Sequence, residues 1–147
     1  MQYERYDIKA SNSFLRFKFW SEGPRGRIRK QVVFTPFKYL PSVFNLVFGD
    51  VDRLGIIDDK IITDNFDMRK VLATVAFIVD EFLLMYPERL VYFRGSTKSR
   101  GRLYRMALSN NLEELTLKFE LLGFIEAQWE PFKKGRDYSA FLVRRKM

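Results

Sequence analysis

Met68-Arg69-Lys70-Val71-Leu72-Ala73-Thr74-Val75-Ala76-Phe77-Ile78-Val79-Asp80-Glu81-Phe82-Leu83-Leu84-Met85-Tyr86-Pro87 is the stretch on which the fold turns. Val71, Val75, Ile78 and Phe82 recur at i, i+4, i+7 and i+11, and Leu72, Val79 and Leu83 widen their stripe. This is one face of an α-helical period, so it predicts an amphipathic helix over about residues 68–86. Arg69, Lys70, Asp80 and Glu81 fall off the stripe, Asp67 is placed to cap the start, and Pro87 to stop the run. A helix with one apolar face must bury it against a second layer, and the flanking sequence supplies strands.

Upstream, Leu15, Phe17 and Phe19 alternate with Arg16 and Lys18, which predicts a strand over 14–20. Ser21-Glu22-Gly23-Pro24-Arg25-Gly26 is dense in turn formers, and a second strand follows at about 27–35, with Ile28, Val32 and Phe34 on one side. The pair reads as a hairpin with Arg25, Arg27 and Arg29 at its tip. Val43–Phe48 reads as a third strand and Ile56–Thr63 as a fourth, beyond the acidic connection opened by Gly49-Asp50.

Downstream, Leu90–Phe93 is a short apolar strand leading into a helix that runs to about Ser109. Asn111 and Glu114 have the spacing of a capping box, Leu112, Leu115, Phe119 and Leu122 form a helical face, and Gly123 suits the C′ position. Phe124–Trp129 and Tyr138–Val143 read as closing strands around a turn at Pro131–Asp137. The order β-β-β-β-α-β-α-α-β-β predicts an α+β fold. A largely antiparallel sheet would carry an N-terminal β-hairpin region, with one long amphipathic helix and a later helix pair packed on it. No linker, repeat or low-complexity stretch interrupts residues 1–147, so one domain is expected.

Composition narrows the chemistry. Among 147 residues there is no Cys and no His, which removes thiolate nucleophiles, imidazole acid–base catalysis and ordinary structural zinc sites. No cofactor and no metal site is implied. No window holds the ~18 consecutive apolar residues of a membrane span, and Met1-Gln2-Tyr3-Glu4-Arg5-Tyr6-Asp7 lacks the features of a signal peptide. A cytoplasmic protein with no membrane partner is expected. The formal net charge is +8, which favours anionic partners through long-range attraction.

The charge is unevenly placed. Asp50, Asp52, Asp58, Asp59, Asp64 and Asp67 make residues 50–67 acidic, whereas Arg94, Lys98, Arg100, Arg102 and Arg105 stand in 94–105 without an acid. In that second segment a strand passes through Gly95, Ser96 and Thr97 into a helix start, where backbone N–H groups lack intrahelical partners and the helix dipole favours negative charge. Ser96, Thr97 and Ser99 add hydroxyl donors, and Lys98, Arg102 and Arg105 fall at i, i+4 and i+7 on one cationic stripe. Gly95, Ser96, Thr97, Lys98, Ser99, Arg100, Arg102, Tyr104 and Arg105 are therefore the candidate anion- and nucleic-acid-binding residues. The spacing of Gly95 and Gly101 does not match a Walker phosphate loop.

Trp20, Tyr104, Trp129 and Tyr138 are candidates for stacking on unpaired bases, with core burial the competing role for each ring. Glu126 and Glu130 would share a face of one strand near Trp129, and Asp58 with Asp59 could meet a hard cation; both patterns are also those of ordinary solvated surfaces.

Several of these stretches together resemble a small family of bacterial proteins of unknown function. They are Ser21–Gly26, Asn45–Asp50, Val71–Val75, Gly95–Met106, Trp129–Phe132 and Tyr138–Val143. The resemblance spans nearly the whole chain and implies no catalytic residue. Three functions remain open on the sequence: binding of phosphate-bearing ligands, RNA or other nucleic acid foremost; a metal-independent ribonuclease of the toxin–antitoxin kind, using Arg102, Arg105 and either Tyr104 or Glu130; and an interaction module for an acidic protein partner.

Overall fold

β2 (Arg16–Gly23) and β3 (Gly26–Phe37) form the hairpin that the turn residues announce. Their antiparallel register runs from Arg16↔Val33 to Gly23↔Gly26, leaving Pro24 and Arg25 as a two-residue turn. Gly26 has φ +88°, a conformation glycine adopts without steric cost. Both strands outlast their expected limits. A computed structural model describes residues 4–58 and 64–147 of the chain. The short β1 (Lys9–Ala10) pairs with β2 at one edge, and β4 (Leu40–Val51) lies on the other side of β3.

The remaining elements are β5 (Ile57–Asp58), α1 (Met68–Met85), β6 (Leu90–Phe93), α2 (Lys98–Asn110), α3 (Leu112–Lys118), β7 (Phe119–Ile125), β8 (Gln128–Pro131) and β9 (Ala140–Arg145). The sheet order is β1-β2-β3-β4-β6-β9-β7-β8, with β5 on β4. β4 and β6 pair in parallel, connected through α1, and the other pairs are antiparallel. The architecture is α+β. The expected fourth strand over Ile56–Thr63 is β5 at Ile57–Asp58, and residues 59–63, Asp59 among them, lie outside the described residues.

The three helices among the described residues pack on one face of the sheet. From α1, Val71, Ile78, Phe82 and Leu83 are buried, and Phe82 stacks on Phe34 of β3 with ring centroids 4.1 Å apart. Phe17, Phe19, Val32, Phe48, Val91 and Phe141 complete the contact layer from successive strands. Asp67 precedes α1 but does not cap it. Its carboxylate instead accepts from the Tyr6 and Ser21 hydroxyls, each at 2.6 Å. Asn65 joins them, accepting from the Arg25 amide at 2.7 Å and donating to the Gly26 carbonyl at 2.9 Å. The hairpin turn is thereby tied to the start of α1. Burial, then the bond to Asp67, raises the Tyr6 phenol above its ordinary value.

The C-terminal third departs from the sequence reading. α3 stops at Lys118, and Phe119–Ile125 is a strand rather than the end of a helix. Phe119 and Leu121 alternate inward with Gly123, a pattern that fits the strand period as well as part of the stretch fits the helical one. Gly123 is no helix cap: the Tyr138 ring lies directly over it, where a side chain would overlap the ring. Asn111 makes no side-chain cap; its amide donates to the Ala107 carbonyl at 2.8 Å. The expected strand Phe124–Trp129 is broken by Glu126 and Ala127, at φ 52° and 63°, into the two arms of a β7–β8 hairpin. The last strand begins at Ala140 rather than Tyr138. Among the described residues no helix is long and apolar enough to cross a membrane.

Candidate anion and nucleic-acid interface

The turn between β6 and α2 is built by its small residues. Gly95 packs so closely on the first turn of α2 that a Cβ would overlap the Gly101 amide nitrogen. Thr97 is extended, at φ −136° and ψ 164°, and its hydroxyl caps α2 by accepting from the Arg100 amide at 3.3 Å. The Gly101 amide reaches the Thr97 carbonyl at 3.1 Å. With the Arg100 amide capped by Thr97, the Thr97, Lys98 and Ser99 amides remain at this helix start outside the i→i−4 ladder.

The cations around the turn have different duties. Lys98 and Arg102 are exposed, and so is Ser99. Arg94 is exposed as the chain leaves β6. Arg100 donates to the Ser96 hydroxyl at 2.7 Å, folding back along the first turn. Arg105 turns inward, donating to the Tyr138 carbonyl at 3.2 Å and pairing with Asp137. It ties α2 to the segment before β9. The cationic stripe thus keeps Lys98 and Arg102 outward and uses Arg105 as a brace.

The aromatic candidates divide in the same way. Tyr104 meets Phe93 edge-on at 5.7 Å. It lines an apolar cavity of about 100 Å³ between α1, the α2–α3 pair and the sheet, with Val75, Val79, Leu108, Leu115 and Leu121 in its wall. Tyr138 is 1% exposed. Trp20 and Trp129 are 39% and 41% exposed. At the hairpin, Arg27 and Arg29 lie over the Trp20 ring at 4.5 and 5.0 Å, and Arg27 pairs with Glu22 at 3.5 Å.

The two carboxylates considered as a pair are separated in role. Glu126 is exposed in the β7–β8 turn. Glu130 accepts from the Tyr138 hydroxyl at 2.9 Å and from Arg136 at 2.9 Å. Desolvation pushes its carboxyl upward, but the bonds from Tyr138 and Arg136 and the nearby positive charges outweigh this and hold it below the ordinary glutamate value. A depressed folded value adds stability above the unfolded value, and that stability is lost as pH falls through the folded one. Melting temperature is therefore expected to decline as pH drops below about 4.3. Glu130→Gln should show a smaller decline in parallel acid melts, whereas equal declines would assign the acid sensitivity to other groups.

Sequence reasoning passed over Lys30. It is 0% exposed and pairs with Asp50 of β4 at 2.6 Å. The signal was present, since Lys30 shares its parity with Ile28, Val32 and Phe34 on the inward face. A buried charge of this kind needs its partner, which makes the pair a fixed part of the core's end.

Fold and site together define a two-layer α+β protein with a capped basic turn at the end of its central strand β6. The chain belongs to the family described as Family of unknown function (DUF6934), which matches residues 2–146. No curated protein and no solved structure matches it.

Proposed function

We propose that this protein binds phosphate-bearing ligands, single-stranded RNA foremost, through the turn and first helical turns spanning Gly95 to Arg102. One observation carries the reading: a capped helix start, closed tightly by Gly95, displays Lys98 and Arg102 on a helix that contains no acid. Amides, hydroxyls and two outward cations meet there, the combination that receives phosphate oxygens. The net charge of +8 adds long-range attraction. A cytoplasmic setting, consistent with a chain free of cysteine, supplies RNA as a polyanion. Binding without chemistry is favoured over a ribonuclease because Tyr104 packs against Phe93 and Glu130 is held by Tyr138 and Arg136.

Salt titration tests this. Neutralised phosphates release counterions, so log affinity for single-stranded RNA should fall against log salt at about −0.7 per phosphate contacted. Replacing Lys98 and Arg102 together with Ala should reduce that slope by about one to two units with little dependence on base sequence. An unchanged slope in the double variant, with binding intact, would move the phosphate contacts elsewhere. Undetectable binding by the wild type at low salt would remove the RNA reading.

A further inference from the structure

The helices cover one face of the sheet only: α1 packs on Phe34 and Phe44, α2 on Phe93, and α3 meets β7. The opposite face has no helix upon it among the described residues. A half-covered antiparallel sheet ordinarily turns polar residues to water. Here Val33 pairs with Val47, and Tyr92, Leu142 and Leu122 lie side by side across three adjacent strands. Their inward neighbours are Phe34, Phe48, Val91, Val143 and Leu121, all buried, so these residues occupy the outward positions.

Rings gather on this open face. Phe37 meets Tyr92 at 5.4 Å, Tyr92 meets Trp129 at 6.1 Å, and Trp129 meets Phe124 at 5.1 Å. Phe37 and Trp129 remain 37% and 41% exposed. At the far corner, Arg16, Lys18, Arg27 and Arg29 stand on β2 and β3 around Trp20, with Glu22 the acid among the outward positions of those two strands. From β2 to β8 the sheet order spans six inter-strand steps, about 29 Å at the usual strand spacing.

An apolar, ring-bearing surface with a predominantly cationic corner suits a partner that has both phosphates and flat bases. A second copy of the chain suits it less well, because face-to-face packing would bring like-charged corners together or press them onto the apolar swath. The turn described above adjoins this face: Arg94 follows Phe93, which pairs with Phe141, and Ala140 next to it pairs with Phe124, the partner of Trp129.

We infer that the open sheet face is a stacking platform for single-stranded RNA, with bases on Trp129 and its neighbouring rings and phosphates at the Arg16–Lys18–Arg27–Arg29 corner. The inference rests on the RNA reading and extends it from the α2 turn across the sheet. Base stacking on sheet aromatics is a general mode of single-strand recognition, tolerant of sequence because every base has a π-face.

Trp20 and Trp129 are the chain's two tryptophans, so tryptophan emission, excited selectively over tyrosine, reports from this face alone. Titrating the full chain with an oligouridylate of about ten nucleotides, a length within reported single-strand site sizes, should quench tryptophan emission in step with the anisotropy of a labelled copy. Trp20→Phe, which leaves Trp129 as the sole reporter, should retain quenching. Trp129→Ala should weaken binding about ten-fold with an unchanged salt slope, since stacking carries no counterion release. RNA binding by anisotropy without quenching, or equal quenching by a duplex, overturns the platform while leaving the α2 reading intact. No RNA binding at all overturns both. A doubled mass in sedimentation without RNA, lost in Trp129→Ala, would assign the face to a second copy and overturn the inference.

Discussion

Replacing Ile78 with Asp is expected to abolish cooperative folding or to lower stability by several kcal/mol. Ile78 is 0% exposed at the middle of the apolar stripe of α1. A carboxylate there would lose its hydration, and the one buried cation among the described residues, Lys30, is already paired with Asp50. The group could escape by protonation, at the cost of a pKa far above ordinary and with a cavity where the isoleucine had been. Because α1 connects the parallel strands β4 and β6, its loss would uncouple the N-terminal hairpins from the C-terminal strands. Thermal melts followed by circular dichroism give the answer directly. A variant melting within a degree or two of the parent would show that the helix does not carry the core.

Gly123→Ala is expected to cost about 1–3 kcal/mol through overpacking. The new methyl would overlap the Tyr138 ring, and that ring has little freedom to retreat. Its hydroxyl donates to Glu130 at 2.9 Å and accepts from the Lys133 amide at 3.0 Å, while Phe132 packs against it at 5.2 Å. The mechanism is steric and therefore coupled to one partner. Combining Gly123→Ala with Tyr138→Ala should destabilise less than the sum of the two single changes, because the clash disappears with the ring. Strict additivity in denaturant melts of this double-mutant cycle would mean that the glycine is required for another reason.

The two cases differ in how far the sequence announces them. The place of Ile78 follows from a helical period marked by four residues over about three turns, a local pattern that any single partner layer satisfies. The β2–β3 hairpin was equally legible, because Pro24 fixes its own φ and Gly26 can take the positive φ the turn requires. So was the helix start at Thr97, where a hydroxyl, its amide partner and the enabling glycine all lie within six residues of one another. These features depend on neighbours close in the chain, and on the sequence alone they place both the long helix and the basic turn.

Residues whose state depends on distant strands were settled only by the tertiary structure. Leu112, Leu115, Phe119 and Leu122 fit a helical face, yet pairing with β9 from Phe119↔Arg145 to Phe124↔Ala140 draws the second half of that stretch into the sheet. Gly123 has the look of a helix terminator, but its purpose is to make room for a ring 15 residues further on, a relation no local rule contains. Arg105 matches Lys98 and Arg102 in spacing, and only the approach of Asp137 turns it from the exposed stripe into a brace. Lys30 reads as a surface charge until Asp50 arrives from β4 to hold it in the core. The open face likewise arises from the assembled strand order, which lines up Tyr92 and Trp129 from strands far apart in the chain. Backbone preferences and helical periodicity act over a few residues, whereas sheet pairing and burial are decided by the sum of many long-range contacts, each too weak to be read where it begins.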